Sequence, residues 1–242
     1  MHREYHKWFS PNLNRDMELL IFGYAGARVL VFPTRRGRFY EYENMGIVEA
    51  LAEPLKKGWL QLFCVDSVDR ESVYNPYVSP GDRIRRHSQY EQYILNEVLP
   101  LSRLKNPQAS LISHGCSLGA YHAVNIALRH PQWFAKVVAF SGRYNLSEPV
   151  AEFRGLFDDY YDEEIYYHSP NHFLPNLADE AVLEHLRRLA ITITVGADDP
   201  FMQSNLALSD TFRHKLINHE LHIWEGRAHQ PNDWQKMVKL YL

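Results

Sequence analysis

Along the chain, short apolar runs rich in β-branched and aromatic residues recur at residues 19–23, 28–32, 59–65, 110–113, 136–140, 190–195 and 219–224, and each reads as a strand. Between most of them the apolar positions change to helical spacing, at residues 45–56, 82–99, 118–129, 178–189, 205–216 and 233–242; in the second of these, Tyr90, Ile94 and Val98 share a face. Strand and helix thus alternate. The alternation predicts a mostly parallel sheet with helices on both faces and a ligand crevice at the carboxyl ends of the strands. The first two runs differ. Only Tyr24-Ala25-Gly26-Ala27 separates them, too short for a crossover, so an antiparallel N-terminal hairpin is expected there. Between Tyr144 and Ala178 the periodicity fails among acids, aromatics and Pro170, and residues 145–178 are expected to be an insertion that caps the crevice.

No repeat, low-complexity tract or flexible linker breaks this pattern, so residues 1–242 are expected to form one α/β domain. A formal charge of -3 gives none of the positive field that a nucleic-acid binder needs. Cys64 and Cys116 are the only two cysteines, too few for a disulfide framework and without the spacing of a zinc site, so no metal is expected. The first sixteen residues have no apolar core of a signal peptide, and no stretch approaches the ~20 apolar residues of a membrane span. A cytoplasmic location without membrane contact is the resulting expectation.

Candidate chemistry concentrates at Ser113-His114-Gly115-Cys116-Ser117-Leu118-Gly119-Ala120, a GxSxG between an apolar strand and the helical stretch 118–129. In the α/β-hydrolase arrangement such a serine sits on a strained strand-to-helix turn that admits only small neighbours two positions away. Ser117 is therefore the candidate nucleophile, and the Leu118 N–H at the helix start a candidate oxyanion donor. Cys116 is a poor rival, because its neighbours at that spacing are His114 and Leu118. His114, at a strand end, reads more simply as a satisfied core histidine.

The partners of a serine nucleophile follow in the order acid, then histidine, each on a loop after a later strand. The strand at residues 190–195 ends at Gly196 and delivers Asp198 and Asp199; we favour Asp199, three residues after the glycine, where hydrolases of this type commonly place the acid, with Pro200 stiffening the turn. His229 follows the last strand and precedes the terminal helix, whereas His214, His219 and His222 lie in or beside regular elements. An aspartate that orients the imidazole and an imidazole that removes the serine proton turn a weak alcohol into a nucleophile. Arg143 and Tyr144, after the strand at 136–140, are placed to read a polar or anionic substrate group, though Arg143 would serve equally well in a structural salt link.

These residues resemble the putative esterase family of α/β-hydrolases, the group related to esterase D and the bacterial mycolyltransferases. Beyond GCSLGAYHA, the likeness extends to VLVFPTRRGRFYEYENMG, VDSVDRESVYN, ALRHPQWFAKVVAFSGRYNL, YYDEEIYYHSPNHFLPNL and VGADDPF, most of the chain. It implies a carboxylester hydrolase with Ser117, Asp199 and His229 at the triad positions. The second oxyanion donor is expected from the loop where Pro33-Thr34-Arg35 stands in place of the His-Gly-x of many relatives. Pro33 has no N–H, so Thr34, Arg35 or Arg36 must serve, and the Arg35 N–H is the one expected. One departure is visible: small relatives pass from the histidine directly to Asp-Trp, whereas Gln230-Pro231-Asn232 intervenes before Asp233-Trp234. The reaction so read needs no cofactor, and its partner is a small-molecule ester; a homo-oligomer is left open. Acyl transfer or thioester cleavage would use the same triad, and a silent hydrolase relative that only binds is the alternative of another class.

Overall fold

In the computed structural model, which describes residues 1–107 and 110–242, eight strands form one sheet in the order β1-β2-β4-β3-β5-β6-β7-β8. They are Arg3–Ser10 (β1), Arg15–Phe22 (β2), Ala27–Phe32 (β3), Leu60–Val65 (β4), Leu111–Cys116 (β5), Lys136–Phe140 (β6), Ala190–Gly196 (β7) and His219–Trp224 (β8). From β4 to β8 every neighbouring pair is parallel; β1 with β2 and β2 with β4 are antiparallel.

The helices are Glu41–Asn44 (α1), Ile47–Ala50 (α2), Ala52–Lys56 (α3), Pro80–Tyr93 (α4), Leu99–Lys105 (α5), Leu118–Arg129 (α6), Glu163–Tyr167 (α7), Pro170–Asn176 (α8), Glu180–Arg187 (α9), Met202–His214 (α10) and Pro231–Tyr241 (α11). Period-two alternation along the strands divides the core into two layers. Leu19, Ile21, Leu30, Phe32 and Ile193 pack with α4, α6, α9 and α10 on one side. Leu20, Phe22, Val29, Val31 and Phe140 pack with α1, α2, α3 and α11 on the other. Helices therefore cover both faces, which is why the central strands read as continuous apolar runs.

The antiparallel hairpin is real but lies one strand earlier than the spacing predicts. It pairs β1 with β2, from Arg3 opposite Phe22 to Ser10 opposite Arg15. The expected pairing of residues 19–23 with 28–32 does not occur, because β4 lies between β2 and β3. Its entry explains why: a side chain at Gly26 would run into the Trp59 carbonyl, and one at Gly23 into Leu60 O, with φ of 92° and 85° at these two glycines. The glycine pair lets the chain step over the incoming strand instead of folding back on itself.

The helix expected at residues 45–56 is two short helices, α2 and α3, and Gly46 at φ 68° separates them from α1, which lies before that range. The one expected at residues 82–99 runs further in both directions, with Ser79 capping its start and a π-helical turn at Ile94–Val98 leading into α5. Pro100 has no N–H for the ladder, so a register change just before it is a local remedy. Among the described residues no helix is long and apolar enough to cross a membrane.

Candidate active site

The ends of β3, β5, β6, β7 and β8 open onto a cavity of about 290 Å³ whose wall includes Thr34, Arg35, Ser117, Leu118, Arg143 and His229. Ser117 stands between β5 and α6 with φ 55° and ψ -119°, a conformation that costs a non-glycine residue about 1–3 kcal/mol. The two glycines of the motif have separate duties. A Cβ at Gly115 would collide with the backbone of Gly119, and one at Gly119 with the carbonyl of Phe32. The elbow is thus held tight by its own two turns and pressed against the end of β3.

That second contact brings the 33–37 loop beside the nucleophile. Gly37 N–H donates to Thr34 O (2.9 Å), closing a turn with Arg36 at φ 60°. Thr34 N–H donates to Glu41 Oε2 (2.6 Å) and Arg36 N–H to the Asp69 carboxylate. Two of the three candidate donors are therefore engaged, and Arg35 N–H makes no hydrogen bond among the described residues. Leu118 N–H, at the first position of α6, is likewise free of an intrahelical partner. Asp69 is buried and Glu41 half-buried, and desolvation raises the pKa of both against the pull of the groups they accept from.

At the other wall, His229 Nδ1 lies 2.7 Å from Asp199 Oδ2. Asp199 is fully buried by side chain and accepts the Phe201 N–H at Oδ1 (2.8 Å), while Asp198 is exposed. With Nδ1 facing a carboxylate, the neutral imidazole carries its proton there and leaves Nε2 as an acceptor. The rings of Phe201 and Trp234 hold the imidazole edge to face at 5.8 and 5.4 Å. Here the departure in the sequence resolves: Gln230 caps α11, Pro231 starts it, and the first helical turn returns Trp234 to His229. No Ser117–His229 hydrogen bond is formed among the described residues, and such bonds commonly tighten only once substrate is bound.

Arg143 lies on the cavity wall, but Tyr144 does not. The expectation for Tyr144 is corrected: its ring is fully buried in the core, folded back into the space that a side chain at Gly142 would need. Its backbone N–H donates to Ser204 Oγ (2.8 Å), so the residue serves the packing of α10. Among the described residues Arg143 forms no salt link either, and its partners are the carbonyls of Asn145, Glu148 and Arg154.

His114 is a core histidine, with Nδ1 2.7 Å from Val138 O and Nε2 2.8 Å from the Tyr42 hydroxyl; burial lowers its pKa to about 4. Cys116 lies 3.1 Å from the same hydroxyl and is fully buried, which drives its thiol pKa upward, so it is neither accessible nor readily ionised. Residues 146 and 153 of the expected cap segment also line the cavity. The sequence reading gave no role to Tyr74, Phe153, Phe201 and Trp234 in the wall, or to Glu41 and Asp69 behind the loop, although the likenesses VDSVDRESVYN, VLVFPTRRGRFYEYENMG and VGADDPF span Asp69, Tyr74, Glu41 and Phe201.

Residues 41–237 match the family described as "Putative esterase". No curated protein matches the chain by sequence. Among solved structures, it is similar to a ferulic acid esterase (TM-score 0.76, 18% identity, covering 100% of this chain and 96% of that one). It is also similar to the fluorophosphonate-binding serine hydrolase F of Staphylococcus aureus (0.75, 18%, 98% and 95%) and to an S-formylglutathione hydrolase of the same organism (0.73, 19%, 99% and 97%). At these identities the likeness is one of fold, the α/β-hydrolase fold.

Proposed function

The chain belongs to the putative esterase family, and from that premise we propose that it hydrolyses carboxylic esters through an acyl intermediate on Ser117. The observation that carries the reading is the Asp199–His229 pair, 2.7 Å apart, with the buried Asp199 behind His229, which lies on the wall of the cavity that also holds Ser117 on its strained elbow. His229 Nε2 takes the hydroxyl proton as Ser117 Oγ attacks the ester carbonyl carbon. Negative charge then gathers on the former carbonyl oxygen, facing the Leu118 and Arg35 N–H groups. Asp199 stabilises the imidazolium, which gives its proton to the departing alkoxide. Water deprotonated by His229 attacks the acyl-serine, and collapse of the second tetrahedral intermediate releases the acid and restores Ser117.

The test is hydrolysis of a p-nitrophenyl ester series by the wild type and by Ser117→Ala at matched concentration. Turnover by the wild type with a loss of at least about a thousandfold in the variant supports the assignment. Equal rates would remove Ser117 from the mechanism, and no turnover by either would favour a protein that binds without catalysis.

A further inference from the structure

The cleft wall carries positive charge that the mechanism does not use. Beside the Ser117 cavity lies a second one of about 510 Å³, and Arg35, Tyr74, Arg143 and Phe153 line both. Five arginines and two carboxylates border the pair, leaving three positive charges in excess on a chain whose formal charge is -3. Asp158 is occupied by Arg83 at 2.8 Å, and Glu152 faces Arg227 at 3.7 Å. Arg35, Arg143 and Arg154 have no carboxylate partner among the described residues.

Arg143 is the most informative of these. It is only 5% exposed, and burial pulls its pKa below the ordinary arginine value. Nε donates to Asn145 O (2.9 Å), and Nη2 to Glu148 O and Arg154 O. Three carbonyl dipoles aim the guanidinium without neutralising it, and Nη1 has no partner among the described residues. Burying an uncompensated cation is costly, so a fold that holds one rigidly on the wall of a cavity is prepared for an anion. The Arg35 guanidinium lies 5.8 Å from the Tyr74 ring centre, and the charges of Arg35 and Arg143 both act on the Tyr74 phenol, so the two cations converge on one side chain.

We propose that the substrate is an ester bearing an anionic group, carboxylate or phosphate, away from the scissile bond, with Arg143 as its main anchor and Arg35 as the second. This rests on the reading of Ser117 as the nucleophile. The anion would occupy the junction of the two cavities while the ester carbonyl faces Ser117.

The experiment compares kcat/KM for matched esters at low ionic strength. Mono-p-nitrophenyl glutarate is set against p-nitrophenyl hexanoate for an anion on the acyl side, and 3-acetoxybenzoate against 3-acetoxybenzamide for one on the leaving group. Glutarate and inorganic phosphate are tested as competitors of hexanoate hydrolysis, to separate a carboxylate site from a phosphate site. At least one anionic ester is expected to exceed its neutral counterpart about tenfold or more, with the gap closing as salt is added. Arg143→Met, and independently Arg35→Met should the first variant fold poorly, is expected to cut that anionic-to-neutral ratio at least about tenfold. Because the readout is a ratio, loss of folded protein does not imitate it. Ser117-dependent turnover with no anionic preference on either side, and no competition by either anion, overturns this proposal alone. Absence of Ser117-dependent turnover for all four esters overturns the hydrolase reading and this one with it.

Discussion

Replacing Arg35 with proline removes one backbone N–H, together with the guanidinium, while leaving the hydrogen bonds of the turn in place. Arg35 is the second residue of the turn closed from Gly37 N–H to Thr34 O, and the third, Arg36, has φ 60°. A positive φ at the third position marks a type II turn, whose second position favours proline. The Arg35 N–H is the one of the three loop donors with no partner among the described residues, so its removal leaves the bonds from Thr34 to Glu41 and from Arg36 to Asp69 in place. Deleting one of two oxyanion donors is expected to lower kcat on a neutral ester by about 10²–10³-fold, or about 2.7–4 kcal/mol of transition-state stabilisation, with little change in KM. Because the guanidinium is lost as well, the reference is Arg35→Ala, which keeps the N–H. The assay is steady-state hydrolysis of p-nitrophenyl hexanoate by both variants, with thermal unfolding to confirm that they are folded alike. A folded proline variant as active as the alanine variant would refute the assignment of this N–H.

Two further outcomes follow from the geometry. In Asp199→Asn, Phe201 N–H holds the amide oxygen on its own side and turns the NH₂ toward His229 Nδ1, forcing the proton to Nε2, the wrong tautomer for a base; kcat should fall by up to roughly 10⁴-fold with KM nearly unchanged in the same ester assay. The fully buried His114 has its pKa lowered from 6.5 to about 4, so the unfolded chain takes up this proton below pH 6.5 while the folded one resists until near pH 4. Stability from this group is complete above pH 6.5 and is lost as the pH falls toward 4, about 2 kcal/mol of it by pH 5. Urea unfolding at pH 7.5 and 5.0 should show a drop larger by that amount in the wild type than in His114→Asn, and equal drops would contradict it.

Much of this was readable in the chain because the signals are local. The GxSxG glycines answer to collisions within one turn, and Asp199 and His229 each follow a strand that announces itself by an apolar run. What escaped depends on distant parts of the chain. β1 was missed because Arg-Glu-Tyr-His-Lys-Trp-Phe-Ser carries no aliphatic residue, as suits an edge strand with one wet face. The hairpin was misplaced because four residues between β2 and β3 look like a closure, and only the arrival of β4 from thirty residues later shows otherwise. Tyr144 looked like a crevice residue from its position after β6, yet the side chain turns inward over a glycine. Glu41 and Asp69 gave no local sign of their task, since holding the N–H groups of another loop is a relation that spacing does not encode.

The backbone at Ser117 sets stability and chemistry against each other at a single residue. On the proposed mechanism, a glycine there would accept φ 55° without penalty and lose the nucleophile, so Ser117→Gly would relax the backbone and abolish turnover. On the reading of Ser117 as nucleophile, the hydroxyl is thus held where the backbone alone would favour glycine.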